Sequence, residues 1–197
     1  MIIILTETAF ARKTFTGYSF NGAPSAQNSN SKVFSAGFSV IASKGTMGNG
    51  LTDAPDRDMY FYPAQLFMGI RFWKIRVSAM AEYMQSSQIT DAAEVANTNV
   101  GGTGIAFGPR LDYYNGRQSL GVFYRASHSY QLEKTDINNT KQEYIAEGGY
   151  TVQYIHRLRG KLGLVLDYTQ EEFTESLSTA PVKWNRAGIG LVFSNFD

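Results

Sequence analysis

The sequence predicts an all-β protein, an eight-stranded antiparallel transmembrane β-barrel, on three observations. Apolar residues alternate with small or charged ones over stretches of about ten residues, the period of a strand with two different faces. The greasy face is rich in aromatic side chains, while the opposite face carries mostly Gly, Ala and Ser with a few charges. That second face suits a crowded interior better than a solvated exterior, as in a barrel with lipid outside and polar groups within. Finally, the intervals between alternating runs are short, then long, in strict succession.

Composition agrees. Of the 197 residues, 18% are charged and 14% aromatic (13 Phe, 12 Tyr, 2 Trp), and 19 are Gly. A mean hydropathy of −0.24 is too polar for helical membrane spans, and no run approaches the 18 or so apolar residues that a spanning helix needs. The net charge of +1 argues against a nucleic-acid partner, which would call for a basic stripe. With zero cysteines, disulfides, thiol catalysis and Cys-ligated zinc are excluded together.

Residues 1–31 are set apart as an N-terminal extension or extra strand, and residues 32–197 as the barrel. Met1–Leu5 is an apolar run and Ala9-Phe10-Ala11 has the shape of a cleavage site. With no basic segment and too short a core, it reads as a truncated signal or as a mature start. Residues 14–20 alternate; pairing them with 2–10 would give ten strands instead of eight. Ala23 to Ser31 has a loop composition.

From Lys32 the pattern is regular. A strand near 32–44 turns Phe34, Ala36, Phe38 and Val40 one way and Ser35, Gly37 and Ser39 the other. A polar loop over 45–58 follows, then a strand near 59–72 with Leu66, Met68, Ile70 and Phe72 outward and Gln65, Gly69 and Arg71 inward. The turn Trp73-Lys74 leads back along Ile75, Val77, Ala79, Ala81 and Tyr83, against Arg76, Ser78, Met80 and Glu82. After a polar interval at 86–102 comes the clearest hairpin, centred on Asn115-Gly116, a dipeptide suited to a turn with two positive-φ residues. That turn would set Leu111 against Leu120, Phe107 against Tyr124, Arg110 against Gly121, and Asp112 against Ser119. A loop at 134–141 precedes a strand near 142–158 with Tyr150, Val152, Tyr154 and Leu158 outward. The turn Arg159-Gly160-Lys161 would set Leu158 against Leu162, Tyr154 against Leu166, and Gln153 against Asp167. A loop at 174–183 precedes the last strand, Trp184 to Phe193, with Ile189, Leu191 and Phe193 outward and Gly188 and Gly190 inward.

This alternation, the short and long intervals and the ending Gly188-Ile189-Gly190-Leu191-Val192-Phe193-Ser194-Asn195-Phe196-Asp197 resemble the small bacterial outer-membrane barrels of the OmpA transmembrane-domain, OmpX and OmpW type. The resemblance is architectural, covers residues 32–197 and carries no family-specific motif. The terminal aromatic typical of that family is matched by Phe193 or Phe196, and Asp197 departs from the pattern. The resemblance implies a bacterial outer-membrane location, outer-membrane lipid or lipopolysaccharide as surroundings, and a non-enzymatic, structural or surface-interacting role. A protein partner would sit at the long extracellular loops or in an envelope assembly. A narrow porin-like channel, a small-molecule carrier and a soluble lipocalin-like binder are the alternatives.

The inward charges are Arg71, Arg76, Glu82, Arg110, Asp112, Arg125, Glu147, Arg157, Asp167 and Glu171. A lumen of eight strands is only wide enough for its own side chains, and charges there must pair, so a salt-bridged plug is expected. Arg71 and Arg76 fall opposite each other, which calls for an acid such as Asp112 near both. Tyr60, Tyr62, Trp73, Tyr83, Tyr113, Tyr154 and Phe193, with Tyr114, read as aromatic girdles at the two membrane interfaces.

No cofactor, metal or catalytic residue is expected. His128 and Ser129 resemble the pair in outer-membrane lipid A deacylases, but that family needs the two residues on one face and here they are adjacent. His128 and His156 read as interfacial. Gly101-Gly102-Thr103-Gly104 precedes a strand rather than a helix, and reads as a bulge and close packing at the rim rather than a dinucleotide loop. Asp53, Asp56 and Asp58 lack EF-hand spacing and read as a solvated loop.

Overall fold

The computed structural model describes residues 32–47, 57–88, 99–135, 141–175 and 181–195. The expected strand at 14–20, its pairing with 2–10, and Asp53 and Asp56 lie outside the described residues.

The strands are β1 (Lys32–Met47), β2 (Arg57–Phe72), β3 (Ile75–Gln88), β4 (Asn99–Asn115), β5 (Gln118–Tyr124), β6 (Ser127–Thr135), β7 (Lys141–Arg159), β8 (Leu162–Glu175) and β9 (Pro181–Ser194). All pair antiparallel, and β1 with β9 closes the ring. β5 and β6 both lie between β4 and β7, end to end, so the nine segments make the eight staves of one barrel. Closure leaves no edge strand, a requirement for a sheet surrounded by lipid.

Alternation decides which way each residue points. Along β2, Leu66, Met68 and Ile70 are exposed while Gln65 and Phe67 are buried. The same outward apolar stripe continues through Phe34, Phe38 and Val40 on β1, Val77 on β3, Leu111 on β4, Val122 on β5, Leu166 on β8 and Ile189 and Leu191 on β9. At the loop end the strands run a few residues past the expected loop boundaries, because polar residues extend the ladder above the lipid band. There Lys44 and Asp58 form an exposed ion pair at 3.3 Å.

The turns correct two details. At Trp73-Lys74, Phe72 opposes Ile75 and Arg71 opposes Arg76, with Trp73 itself at φ 53°. The next turn is Gly116-Arg117 rather than Asn115-Gly116, and Asn115 pairs with Gln118. Only Gly116 (φ 63°) takes positive φ, as a turn with Gly at its first central position requires. Leu111 therefore opposes Val122, Arg110 opposes Phe123 and Asp112 opposes Gly121, while Phe107 opposes Ser127. A slip of two residues changes every partner but no face. At the third turn Tyr154 opposes Leu166 and Gln153 opposes Asp167, as the sequence predicts. A register shift between Arg157 and Arg159 displaces Leu158, and Leu162 pairs with Arg159 instead.

The largest departure is a bulge. Between the pairs Arg110–Phe123 and Phe107–Ser127, β4 uses two residues where the facing chain uses three. Ala126 and Ser127 are consequently both exposed, and the inward phase changes from Phe123 and Arg125 to His128 and Tyr130. Gly108 makes room for it, since a Cβ there would collide with the Tyr124 carbonyl oxygen. β7 carries a matching bulge against β8 between Ala146 and Gly148.

The interior holds more large apolar residues than the sequence reading assigned to it. One buried cluster contains Phe61, Met84, Tyr130, Phe173 and Trp184, and a second contains Phe67, Met80, Phe123, Ile155 and Val192.

Candidate functional site: the charged lumen

Inward positions at successive heights bring charged and amide side chains from β2 to β9 onto the barrel axis. Near the turns, Asp112 sits between two arginines. Arg76 donates through Nε (2.9 Å) to one carboxylate oxygen, and Arg110 donates through Nε (2.9 Å) and Nη2 (2.7 Å) to the other. The Phe67 ring lies under both guanidiniums, at 4.3 Å from Arg76 and 4.8 Å from Arg110. Arg76 also donates to Ser35 Oγ at 3.0 Å.

From Arg110 the chain of bonds continues to the Gln153 side-chain oxygen. Gln153 Nε2 donates to Gln65 Oε1 at 2.8 Å, and Gln65 Nε2 donates to Glu82 at 2.7 Å. Glu82 also accepts from Arg125 and from Arg186 Nη2 at 2.9 Å. Arg125 then reaches Glu171 at 3.2 Å, and the His128 Nδ1–H donates to the same Glu171 oxygen at 2.5 Å. Above this end the Trp184 ring packs on Tyr130 (4.3 Å) and Phe173 (4.4 Å), with Phe173 against the His128 ring at 4.9 Å.

Among the described residues, the fully buried formal charges balance: Arg76, Arg110, Arg125 and Arg186 against Glu82, Asp112, Asp167 and Glu171. Balance and hydrogen bonding together make charge tolerable in a narrow lumen, because an unpaired ion buried there would cost several kcal/mol. Asp167 stands apart from the direct pairs: it accepts from Ser43 Oγ at 3.4 Å, and its other oxygen is buried with no hydrogen-bond partner among the described residues.

The structure separates the remaining expected members. Arg71 is half-buried, with its guanidinium over the Tyr114 ring at 5.7 Å, whereas Asp112 is held by Arg76 and Arg110. Arg157 is half-buried and donates through Nε to Gly160 O at 2.9 Å, bracing the turn. Glu147 lies within β7 at the bulge, and its side chain is outside the described residues.

Besides the apolar clusters, two polar members of the interior are not among the inward residues that the sequence predicts. Arg186 shares a phase with Gly188 and Gly190, so alternation alone pointed to it. His128 is buried in the lumen and not interfacial; the bulge at Arg125-Ala126 reverses its face. Ser129 beside it is exposed on the outer wall, so the two act on opposite sides of the sheet. Alternation places Gln65 and Gln153 inward, and their role in joining the two charge clusters follows from tertiary distances.

Of the aromatic residues, Tyr60, Tyr62, Trp73, Tyr83, Tyr113 and Phe193 are exposed on the outer wall and Tyr154 is half-exposed. Tyr114 is instead buried, with Arg76 over its ring at 5.1 Å. Gly102 and Gly104 give close approach to Tyr130 and His128, and β4 keeps an unbroken register with β6 there, so the expected bulge is absent from that stretch.

A closed ring of strands with an apolar exterior and a largely polar, charge-paired interior is the architecture of a membrane-spanning β-barrel, the fold of the small bacterial outer-membrane barrels. The fold is similar to that of neisserial surface protein A, with 10% identity and a TM-score of 0.56 over 84% of this chain and 99% of that one. It is equally similar to Ail, the attachment invasion locus protein of Yersinia pestis, with 9% identity and a TM-score of 0.56 over 81% of this chain and 97% of that one. At such identities the likeness is one of fold. No protein-family model matches the sequence, and no curated protein matches it.

Proposed function

We propose that this chain is a non-enzymatic surface protein of the bacterial outer membrane, a plugged barrel that presents its loop segments to the exterior. Residues 48–56, 89–98, 136–140 and 176–180 join the strands at the end opposite the tight turns. The observation that carries the reading is the filled lumen: a continuous network from Arg76 to His128, with the Phe67 and Trp184 clusters set along it. Among the described residues such an interior fills the lumen with side chains, which favours interaction through the outer wall and the loop segments. The surroundings are outer-membrane lipid and lipopolysaccharide, and the partner is a protein or cell surface met by the loops. The names of the two similar structures, one a surface protein and one an attachment and invasion protein, point the same way.

The test combines conductance with topology. The refolded barrel should migrate differently with and without boiling on SDS gels, and should give no steady conductance in planar bilayers. Ohmic channel steps would overturn the plugged lumen. The chain has no cysteine, so single-cysteine labelling is clean. Asn97→Cys should react with an impermeant maleimide on intact cells and Asn115→Cys should not. The reverse pattern would invert the orientation and remove the loops from the cell exterior.

A further inference from the structure

The paired bulges have a consequence on the outer wall. Two transverse rows of side chains meet there, set by the strand registers. The lower row runs Tyr124–Tyr150–Gln170 across β5, β7 and β8. One pleat towards the loops, the next row runs Gly148–Glu172–Lys183 across β7, β8 and β9. Gly148 has no side chain and sits at φ 156°, a conformation that side chains rarely adopt. The wall is therefore indented, and a cavity of about 260 Å³ opens on the lipid-facing side.

The walls of this notch are chemically mixed. Tyr124 and Tyr150 are adjacent, exposed aromatic rings. Tyr150 donates its hydroxyl hydrogen to Gln170 Oε1 at 2.8 Å, which holds both side chains in place. Glu172 and Lys183 are directly opposed across β8 and β9, so the outer rim offers donors and acceptors as an acid beside a base; Glu171, which also lines the cavity, is buried and taken up by Arg125 and His128. Height narrows the choice of occupant. Tyr150 lies nine residues along β7 from the end at Arg159, about 23 Å along the barrel axis at 3.3 Å per residue and a tilt of about 40°. An apolar band of about 25 Å places the notch at the loop-side membrane boundary.

We propose that the notch binds the sugar headgroup of an outer-leaflet glycolipid, with a pyranose face on Tyr124 and Tyr150 and its hydroxyls on Gln170, Glu172 and Lys183. An aromatic shelf with a small number of placed polar groups is the usual form of a site for an amphipathic ligand. A simple phosphate headgroup would meet Glu172 beside the lysine, and an acyl chain alone would leave the polar rim unused. The inference rests on the outer-membrane orientation given above.

The test is native mass spectrometry of the folded barrel, released from a phosphocholine-headed detergent, with glucosyl diacylglycerol as probe and phosphatidylglycerol and sugar-free diacylglycerol as comparators. One glucosyl diacylglycerol should be retained in preference to either comparator. Tyr124→Leu/Tyr150→Leu should weaken retention about tenfold while keeping the heat-dependent gel shift. Glu172→Ala/Lys183→Ala, changes at one half-buried and one exposed residue that spare the aromatic shelf, should weaken it severalfold and serves if the tyrosine variant fails to fold. Equal retention of all three lipids, or unchanged retention by folded variants, would overturn the site. A wild-type chain without a gel shift would instead refute the barrel in detergent, a separate failure.

Discussion

Glu82→Gln is predicted to be among the most damaging isosteric changes in the barrel. Glu82 is 2% exposed and accepts from Gln65 (2.7 Å), from Arg186 (2.9 and 3.0 Å) and from Arg125. Glutamine keeps the volume and removes the charge. Arg125 retains Glu171 at 3.2 Å, but Arg186 loses its directly paired carboxylate and keeps the Met84 sulfur at 3.1 Å, the amide oxygen of the new side chain and the more distant charges of Asp167 and Glu171. One pair at 2.9 Å with an effective dielectric of 20 is worth about 6 kcal/mol before desolvation. Breaking a buried pair by removing one partner costs about 3–5 kcal/mol, which is the predicted loss. The assay is equilibrium urea unfolding in phospholipid vesicles, followed by tryptophan fluorescence, with the midpoint expected to fall and the slope unchanged. A double-mutant cycle sharpens it: Glu82→Leu with Arg186→Leu should be less destabilised than the sum of the single changes, because the charges leave together. A loss under about 1 kcal/mol for Glu82→Gln, or strict additivity in the cycle, would refute a lumen held by paired charge.

The remaining predictions address the wall, the bulge and the packing. Leu166→Arg places a charge on the exposed apolar face and should cost about 2–4 kcal/mol near the bilayer midplane; an unchanged urea midpoint would put Leu166 outside the hydrocarbon band. Gly108→Ala drives a Cβ into the Tyr124 carbonyl and should cost about 1–3 kcal/mol through backbone displacement. If Gly108→Ala folds with wild-type stability, the bulge does not depend on that glycine. Phe67→Ala removes a ring packed under Arg76 and Arg110 and should cost about 3–5 kcal/mol. A much smaller value would mean that the lumen collapses around the gap, visible as an unchanged midpoint in the same vesicle assay.

The architecture was legible in the sequence because its causes are local. A period of two follows from strand geometry alone, and the succession of tight turns and longer polar intervals follows from chain connectivity between antiparallel staves. The inside-out orientation was legible too, because Phe34, Leu66, Leu111 and Ile189 alternate with residues mostly too small, and too sparsely charged, to form a solvated surface. Phase survived even where register did not: the hairpin turn sits at Gly116-Arg117, two residues from expectation in its pairings, and Arg110 and Asp112 still point inward.

What only the tertiary structure decided depends on a neighbouring strand. The bulge at Arg125-Ala126 requires Gly108 on β4, a residue remote in sequence, and that bulge alone turns His128 into the lumen and Ser129 out of it. Asp112 serves Arg76 and Arg110 while Arg71 stacks on Tyr114, a choice made by distances across three strands. Gln65 and Gln153 join the two charge clusters because closure of β1 on β9 brings β2 and β7 to the same axis. Alternation in one dimension assigns each side chain a face. Which side chains meet on that face is set by register and closure, and those are properties of the whole ring.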